Sequence, residues 1–346
     1  MKTEEPRITT GHIAQNIHSL HKEGVLREMK KLFLEELREF FVPGESGEFV
    51  LDPSKIIEVP CPICSTPKKK AAFEIKINGF EHLRCQVCDN IYVTPRLKDE
   101  YIWKQYGRPS YQYMFQHLIE DTIAFRKNVI ATGKYQWVTK RLPSHGNKTL
   151  LDIGSGLGEN LAVYKEHGWD VVGIEFNEYA SKRSRELFGV SVLNEPIEKA
   201  KLPRQYFDLI SMWGVLEHLT NPIDVLGSIL QHLAPGGSLV FMTPQFDCLT
   251  TSFLKEHPEL ANRHLDGDKH ITVFTRKGVE FLARKMNLEI VDIVTRGLDL
   301  TTILEYVENE KETRLFKLIQ KELPTLQKAI EEAGFGDGLW AILRKP

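Results

Sequence analysis

The run Asp152-Ile153-Gly154-Ser155-Gly156-Leu157-Gly158, entered from apolar Thr149-Leu150-Leu151, leaves this chain few folds to choose from. An apolar strand that ends in alternate glycines must turn sharply, and residues without Cβ let the N–H groups of that turn approach a ligand closely. The next apolar run, Trp169-Asp170-Val171-Val172-Gly173-Ile174, reads as the neighbouring parallel strand. Glu175 follows it at once, and a carboxylate at a strand's C-terminal end can accept from both hydroxyls of a ribose. Strand, glycine turn, helix, strand and acid together describe a nucleoside site on an α/β, doubly wound sheet.

The spacing discriminates between nucleoside ligands. A dinucleotide fingerprint places its third glycine at position 159, where this chain has Glu159, and a carboxylate in the first helical turn repels a pyrophosphate. Further on, Tyr206 to Trp213 is an apolar run of strand length, followed by Gly214-Val215-Leu216-Glu217-His218-Leu219-Thr220-Asn221-Pro222. Helical periodicity from Ile223 to Leu233 then closes in Ala234-Pro235-Gly236-Gly237 before a strand over Ser238 to Met242.

The order D-x-G-x-G-x-G, F-D-L-I, V-L-E-H-L-x-x-P, L-x-P-G-G-x-L-V resembles class I S-adenosylmethionine (SAM) methyltransferases from Asp152 to Met242. His270-Ile271-Thr272-Val273-Phe274-Thr275 is similar to the H-x-x-x-F-T before a late helix in many small-molecule members. The resemblance implies a seven-stranded Rossmann-like sheet with SAM as cofactor. It implies that Asp152, Gly154, Ser155, Gly156 and Gly158 surround the methionine portion, that Glu175 binds the ribose and that Phe176 lies against the adenine. Ile197 would add an adenine contact, and Trp213 would leave its strand beside the cofactor; Phe176 and Trp213 also suit plain core packing.

A second pattern is metallic. Cys61-Pro62-Ile63-Cys64 and Cys85-Gln86-Val87-Cys88 form C-x2-C-x20-C-x2-C, two tight turns that each aim two thiolates at one point. Four thiolates close a tetrahedral Zn2+ shell, so this zinc is expected to be structural. A disulfide reading requires an oxidising compartment, whereas the chain shows no secretory signal and no apolar span of about 18 residues, which points to a cytoplasmic protein without membrane insertion. The fifth cysteine, Cys248, reads as a small apolar filler.

The 346 residues suit a methyltransferase core with smaller attachments. Residues 1–55 read as a helical arm and linker, 56–97 as the four-cysteine unit, 98–146 as a helical cap rich in aromatics, and 147–346 as the core with a helical insertion at 301–333. The arm is expected to be helical from Ile13 to Phe41, broken near Gly24, with an apolar stripe of Leu26, Met29, Phe33, Leu37 and Phe40 that suits either intramolecular docking or a homodimer contact. The segment from Pro43 to Pro53 reads as linker, and Lys68-Lys69-Lys70 as a solvated loop. A net charge of -2 provides no electrostatic footprint for a polyanion, so a nucleic-acid partner is not expected.

Methyl transfer requires in-line approach to the sulfonium methyl, with a base added when the acceptor is a hydroxyl. His218 and His270 are the candidate bases, Glu217 can orient either, and Tyr106, Tyr111 and Tyr113 are alternatives in the cap. A four-cysteine unit ahead of such a core resembles bacterial enzymes acting on nucleotide-linked sugars and other small metabolites. The expected activity is therefore O-methylation of a sugar or related metabolite. Two other classes stand beside it: a tRNA or rRNA methyltransferase that grips RNA through the zinc unit, and a non-catalytic SAM-fold binding module.

Overall fold

The computed structural model describes residues 24–45, 49–142, 146–257, 265–306 and 314–346. Near its N-terminal end a helix over Val25–Leu37 runs into a 3-10 turn ending at Phe40; the expected helix from Ile13 to Gly24 lies outside the described residues except for Gly24. The C-terminal part of the apolar stripe packs inside the chain. Phe40 is buried, and Phe33 meets Tyr111 edge-on at 6.1 Å with the Lys269 ammonium 3.8 Å from its ring centre. The end of the expected helix and the segment read as a linker instead pair as strands, β1 (Phe41–Pro43) against β2 (Phe49–Leu51). Phe41 and Leu51 pack against Phe80 and Leu97, burial that no pattern within the segment itself announces.

The four-cysteine unit follows. Here β3 (Ile56–Ile57) pairs with β7 (Arg96–Leu97), while β4 (Ala71–Ile77), β5 (Phe80–Cys85) and β6 (Ile91–Val93) form an antiparallel meander. The β4–β5 turn is Asn78-Gly79, both at positive φ (48° and 82°), the conformation a two-residue hairpin loop demands. Residues 99–139 are a chain of short α, 3-10 and π-helical pieces.

The large sheet comprises β8 (Thr149–Ile153), β9 (Asp170–Ile174), β10 (Ser191–Leu193), β11 (Phe207–Trp213), β12 (Leu233–Pro244), β14 (Glu289–Arg296) and β15 (Gly338–Arg344). Their order is β10-β9-β8-β11-β12-β15-β14, with β15 antiparallel to both neighbours and the other adjacent pairs parallel. This is the expected mostly parallel, doubly wound sheet, with the strand order reversing at β8 and β11. Both faces are covered: Ile210, Met212 and Phe241 pack on one side, and Leu209, Val240 and Ile342 on the other. The insertion consists of helices Asp299–Tyr306 and Arg314–Glu332, joined through residues outside the description.

The two sheets are spliced. The short strand β13 (Thr272–Val273), between core elements, pairs antiparallel with β6 and becomes the fourth strand of the cysteine-bearing sheet. Val93 N–H donates to the Ile271 carbonyl at 3.0 Å, and the Thr275 hydroxyl donates to Asp89 Oδ2 at 2.9 Å. Arg84 on β5 adds a charged clasp to Asp247 beyond β12, at 2.6 Å.

His82 on β5 is fully enclosed, and burial pushes its imidazole down to about 4 from the usual 6.5. Between those values the unfolded chain holds a proton that the folded chain refuses, so stability falls as pH drops through this window and is unaffected above it. The cost reaches about 3 kcal/mol at the acid end. Urea unfolding of His82→Leu at pH 7 and pH 4.5 should show a drop smaller than the native protein's by about that order.

Candidate active site

The glycine turn is held by the end of β9. Gly154 and Ser155 both donate to the Ile174 carbonyl, at 2.8 and 3.0 Å, and Gly154, Gly156 and Gly158 sit at φ 70°, 55° and 83°. A Cβ on Gly154 would fall 2.5 Å from Val215 Cγ2, so left-handed backbone and close approach both require glycine there. Gly158 caps the helix Glu159–Glu166.

Glu175 follows β9 with its carboxylate turned back onto the turn. Oε2 accepts from Gly156 N–H and Oε1 from Asn177 N–H, both at 2.8 Å, while burial pushes its pKa up from the usual carboxylate value. Each carboxylate oxygen keeps a second lone pair, so these bonds orient the group without exhausting it. Asn194 pins the same loop, its side-chain amide donating to the carbonyls of Glu175 (2.7 Å) and Phe176 (2.9 Å). The sequence reading assigned Asn194 no role.

Phe176 is 47% exposed and faces Trp103 of the cap, ring centres 5.6 Å apart, on the wall of a cavity of about 560 Å³ also lined by Tyr106, Asn177 and Lys182. An exposed aromatic pair beside Glu175 is surface available for stacking, which core packing would have used up. Ile197 is buried at 6% exposure in the core cluster. Trp213 is packed edge-on against Trp340 at 5.2 Å, with the Lys134 ammonium 4.4 Å from its ring centre.

Asp152 is buried and accepts from the Ser211 hydroxyl, leaving Oδ2 without a partner; desolvation pushes it up to about 7. Burial likewise pushes Lys134 down to about 8, with Glu159 opposing the shift. Lys134 lies in the helix Thr132–Thr139 among residues of no motif, so sequence alone carried no signal for it.

The other end of the site is built from two separate segments. Glu217 and His218 lie on the 3-10 turn Leu216–His218 after β11, and His270 lies on the loop that the β6–β13 seam holds in place. Ile271 N–H donates to the Glu217 carbonyl at 3.0 Å, stitching the segments together, and the His218 and His270 ring centres are 4.9 Å apart. The helix beyond this turn starts at Pro222, so Glu-His-Leu precedes it without opening it.

Burial pushes Glu217 up to about 8 and His218 down to about 4, so both are uncharged near neutrality. His218 Nδ1 lies 3.0 Å from the Lys269 carbonyl. A carbonyl only accepts, so Nδ1 carries the hydrogen and Nε2 keeps its lone pair.

Tyr106 joins the two ends. Its ring is edge-on to His218 at 6.2 Å and 5.1 Å from Tyr111, while its carbonyl accepts from Asn177 Nδ2 at 2.9 Å. Burial first, then Tyr111, Glu217 and Glu175, keep its phenol protonated. Tyr113 instead pairs with His117 at 4.5 Å.

The cysteines form a separate cluster. Cys61 and Cys88 sulfurs are 3.4 Å apart, Cys64 and Cys85 sulfurs 3.5 Å, and all four lie within 4.8 Å of one another with no disulfide among them. Ser65 and Asp89, each following a cysteine pair, take positive φ (60° and 63°) and close the two turns. Cys248 is buried at the start of the helix Leu249–Glu256, accepting from Thr251 N–H at 3.3 Å.

Residues 125–293 match a family described as a methyltransferase domain. A tRNA U34 carboxymethyltransferase of Desulfotalea psychrophila is 30% identical over 117 residues, 32% of this chain and 37% of its own length. A ubiquinone biosynthesis O-methyltransferase of Pseudomonas fluorescens is 29% identical over 116 residues, 32% of this chain and 50% of its own length. The chain thus spans half or less of the length of these curated relatives. Among solved structures, a SAM-dependent methyltransferase from Archaeoglobus fulgidus aligns with 63% of this chain and 94% of its own, at 19% identity and a TM-score of 0.44.

Calorimetric titration with S-adenosylhomocysteine should show Gly154→Ala binding weaker by about tenfold or more, since the strained φ alone costs on the order of 1 kcal/mol and the new methyl meets Val215. Gly227→Ala, in a helix with open space at Cβ, should bind as the native protein does. The glycine turn and the buried acid after β9 both fall within residues 125–293, the stretch that matches the methyltransferase domain family, and the mostly parallel seven-stranded sheet carries them.

Proposed function

We propose that this chain transfers the methyl group of SAM to a hydroxyl of a small polar metabolite, a nucleotide-linked or polysaccharide-precursor sugar being the class best suited. The carrying observation is that Tyr106 touches both regions: its carbonyl accepts from Asn177 beside Glu175, and its ring is edge-on to His218, which neighbours His270. Bound SAM supplies a methyl activated by its sulfonium. Glu175 accepts from the ribose hydroxyls, Phe176 and Trp103 offer faces to the adenine, and the turn Asp152–Gly158 surrounds the methionine portion. Tyr106 and Tyr111 exclude water, and the acceptor hydroxyl is ionised at the Glu217–His218–His270 group. Imidazole and carboxylate groups suit a polyhydroxylated acceptor, whose oxygens need polar partners once desolvated.

We further propose that Cys61, Cys64, Cys85 and Cys88 hold one structural zinc. Sulfurs 3.4–3.5 Å apart fit a four-thiolate shell with metal–sulfur bonds of about 2.3 Å, and a closed shell leaves the metal no place in the chemistry.

Glu175→Ala should weaken S-adenosylhomocysteine binding by about a hundredfold, the loss of two hydrogen bonds to a carboxylate. Purified protein given methyl-labelled SAM should label sugar nucleotides. Label entering bulk tRNA instead would favour the RNA reading, and absence of cofactor binding by the intact protein would overturn the methyltransferase reading.

A further inference from the structure

The methyl-transfer reading leaves one group unexplained. Glu217 is only 2% exposed, and its Oε2 has no hydrogen-bond partner. Its other oxygen, Oε1, lies 3.9 Å from His218 Nε2. Even as a neutral acid, a buried oxygen without a partner costs on the order of 1–3 kcal/mol, which a bound ligand would recover. The adjacent cation does not: Lys269 Nζ is 3.5 Å from Asp268 and lies over the Phe33 ring.

The ligand atoms of Glu217, His218 and His270 all lie within 4.8 Å of one another. His218 is already set up as a ligand. Its Nδ1–H is committed to the Lys269 carbonyl, which fixes the tautomer and aims the Nε2 lone pair toward the cluster, the outer-shell bond that metal-binding histidines commonly make. The turn carrying Glu217 and the loop carrying His270 are tied by one backbone hydrogen bond and by the His218 side chain on the Lys269 carbonyl, so the group is held together before any ligand arrives.

We infer that Glu217, His218 and His270 bind one divalent transition metal, a site separate from the four cysteines. Two imidazoles and one carboxylate favour Zn2+, Fe2+, Co2+ or Ni2+ over Mg2+ or Ca2+. Three protein ligands leave open positions for the acceptor. The metal's use, though not its binding, rests on the methyl-transfer reading. A coordinated acceptor hydroxyl loses its proton to water. The resulting oxygen forms a bond to the methyl carbon as the carbon–sulfur bond breaks, and that electron pair stays on sulfur in S-adenosylhomocysteine. His218 then serves as a ligand, and coordination does the ionising.

The test is calorimetric and spectroscopic titration of full-length, zinc-replete protein with Co2+. One equivalent should bind with an absorption spectrum free of thiolate-to-cobalt charge transfer, which separates it from any cobalt entering the cysteine cluster. Binding should weaken by about a hundredfold in His218→Ala and in His270→Ala. S-adenosylhomocysteine titrations should be unchanged in both variants, which shows that they are folded. Should an alanine variant fail that control, Glu217→Gln, which keeps the buried volume, decides the matter by the same loss of Co2+ affinity. No Co2+, Fe2+, Ni2+ or Zn2+ bound beyond the cysteine cluster, or binding that persists in the variants, would overturn the inference. Metal binding without S-adenosylhomocysteine binding would overturn the methyl-transfer reading and leave the metal site standing.

Discussion

The pairing of Thr272–Val273 with Ile91–Val93 is the contact on which the rest of the arrangement depends. It is a short ladder, but its hydrogen bonds are backbone bonds between buried strands, the kind that is expensive to leave unmade. Through it the cysteine-bearing sheet and the seven-stranded sheet become one scaffold. The loop just before that ladder carries His270, whose position relative to His218 therefore depends on a sheet outside the methyltransferase core. Thr275 on Asp89 and Arg84 on Asp247 reinforce the same seam from either side.

The two buried acids are held differently. Glu175 receives two backbone N–H groups, so its carboxyl group is oriented and partly compensated. Glu217 receives no such compensation at Oε2, and His218 is held neutral by its burial beside the Lys269 carbonyl. One acid is preorganised by backbone dipoles, and the other keeps an unused oxygen. Tyr106 lies at the boundary, its backbone tied to Asn177 and its ring set against His218.

Some of this was legible in the chain because the determining interactions are local. The glycine turn, the acid after β9, the Asn78-Gly79 hairpin and the paired cysteines each encode their conformation within a few residues. Other features were hidden because their cause is distant. Phe41 reads as helix and Phe49–Leu51 as linker until the cluster containing Phe80 and Leu97 supplies their apolar partner surface. Asn194 has no role that its sequence neighbours announce, yet its amide pins the Glu175–Phe176 backbone, and Lys134 acquires its perturbed environment only when a cap helix folds over Asp152 and Trp213.

The sequence by itself determined the doubly wound sheet, the glycine turn with the acid that follows β9, and the meeting of the four cysteines, since strand periodicity, glycine conformation and paired spacing act along the chain. Only the tertiary structure decided that the cysteine unit is sewn to the core through β13, that the apolar stripe of the N-terminal helix is spent at Phe33 and Phe40 within the chain, and that His270 meets Glu217 and His218. The reason is physical. These outcomes depend on which buried surfaces find one another and on which polar groups are left without water, and neither quantity exists until the chain has closed around them.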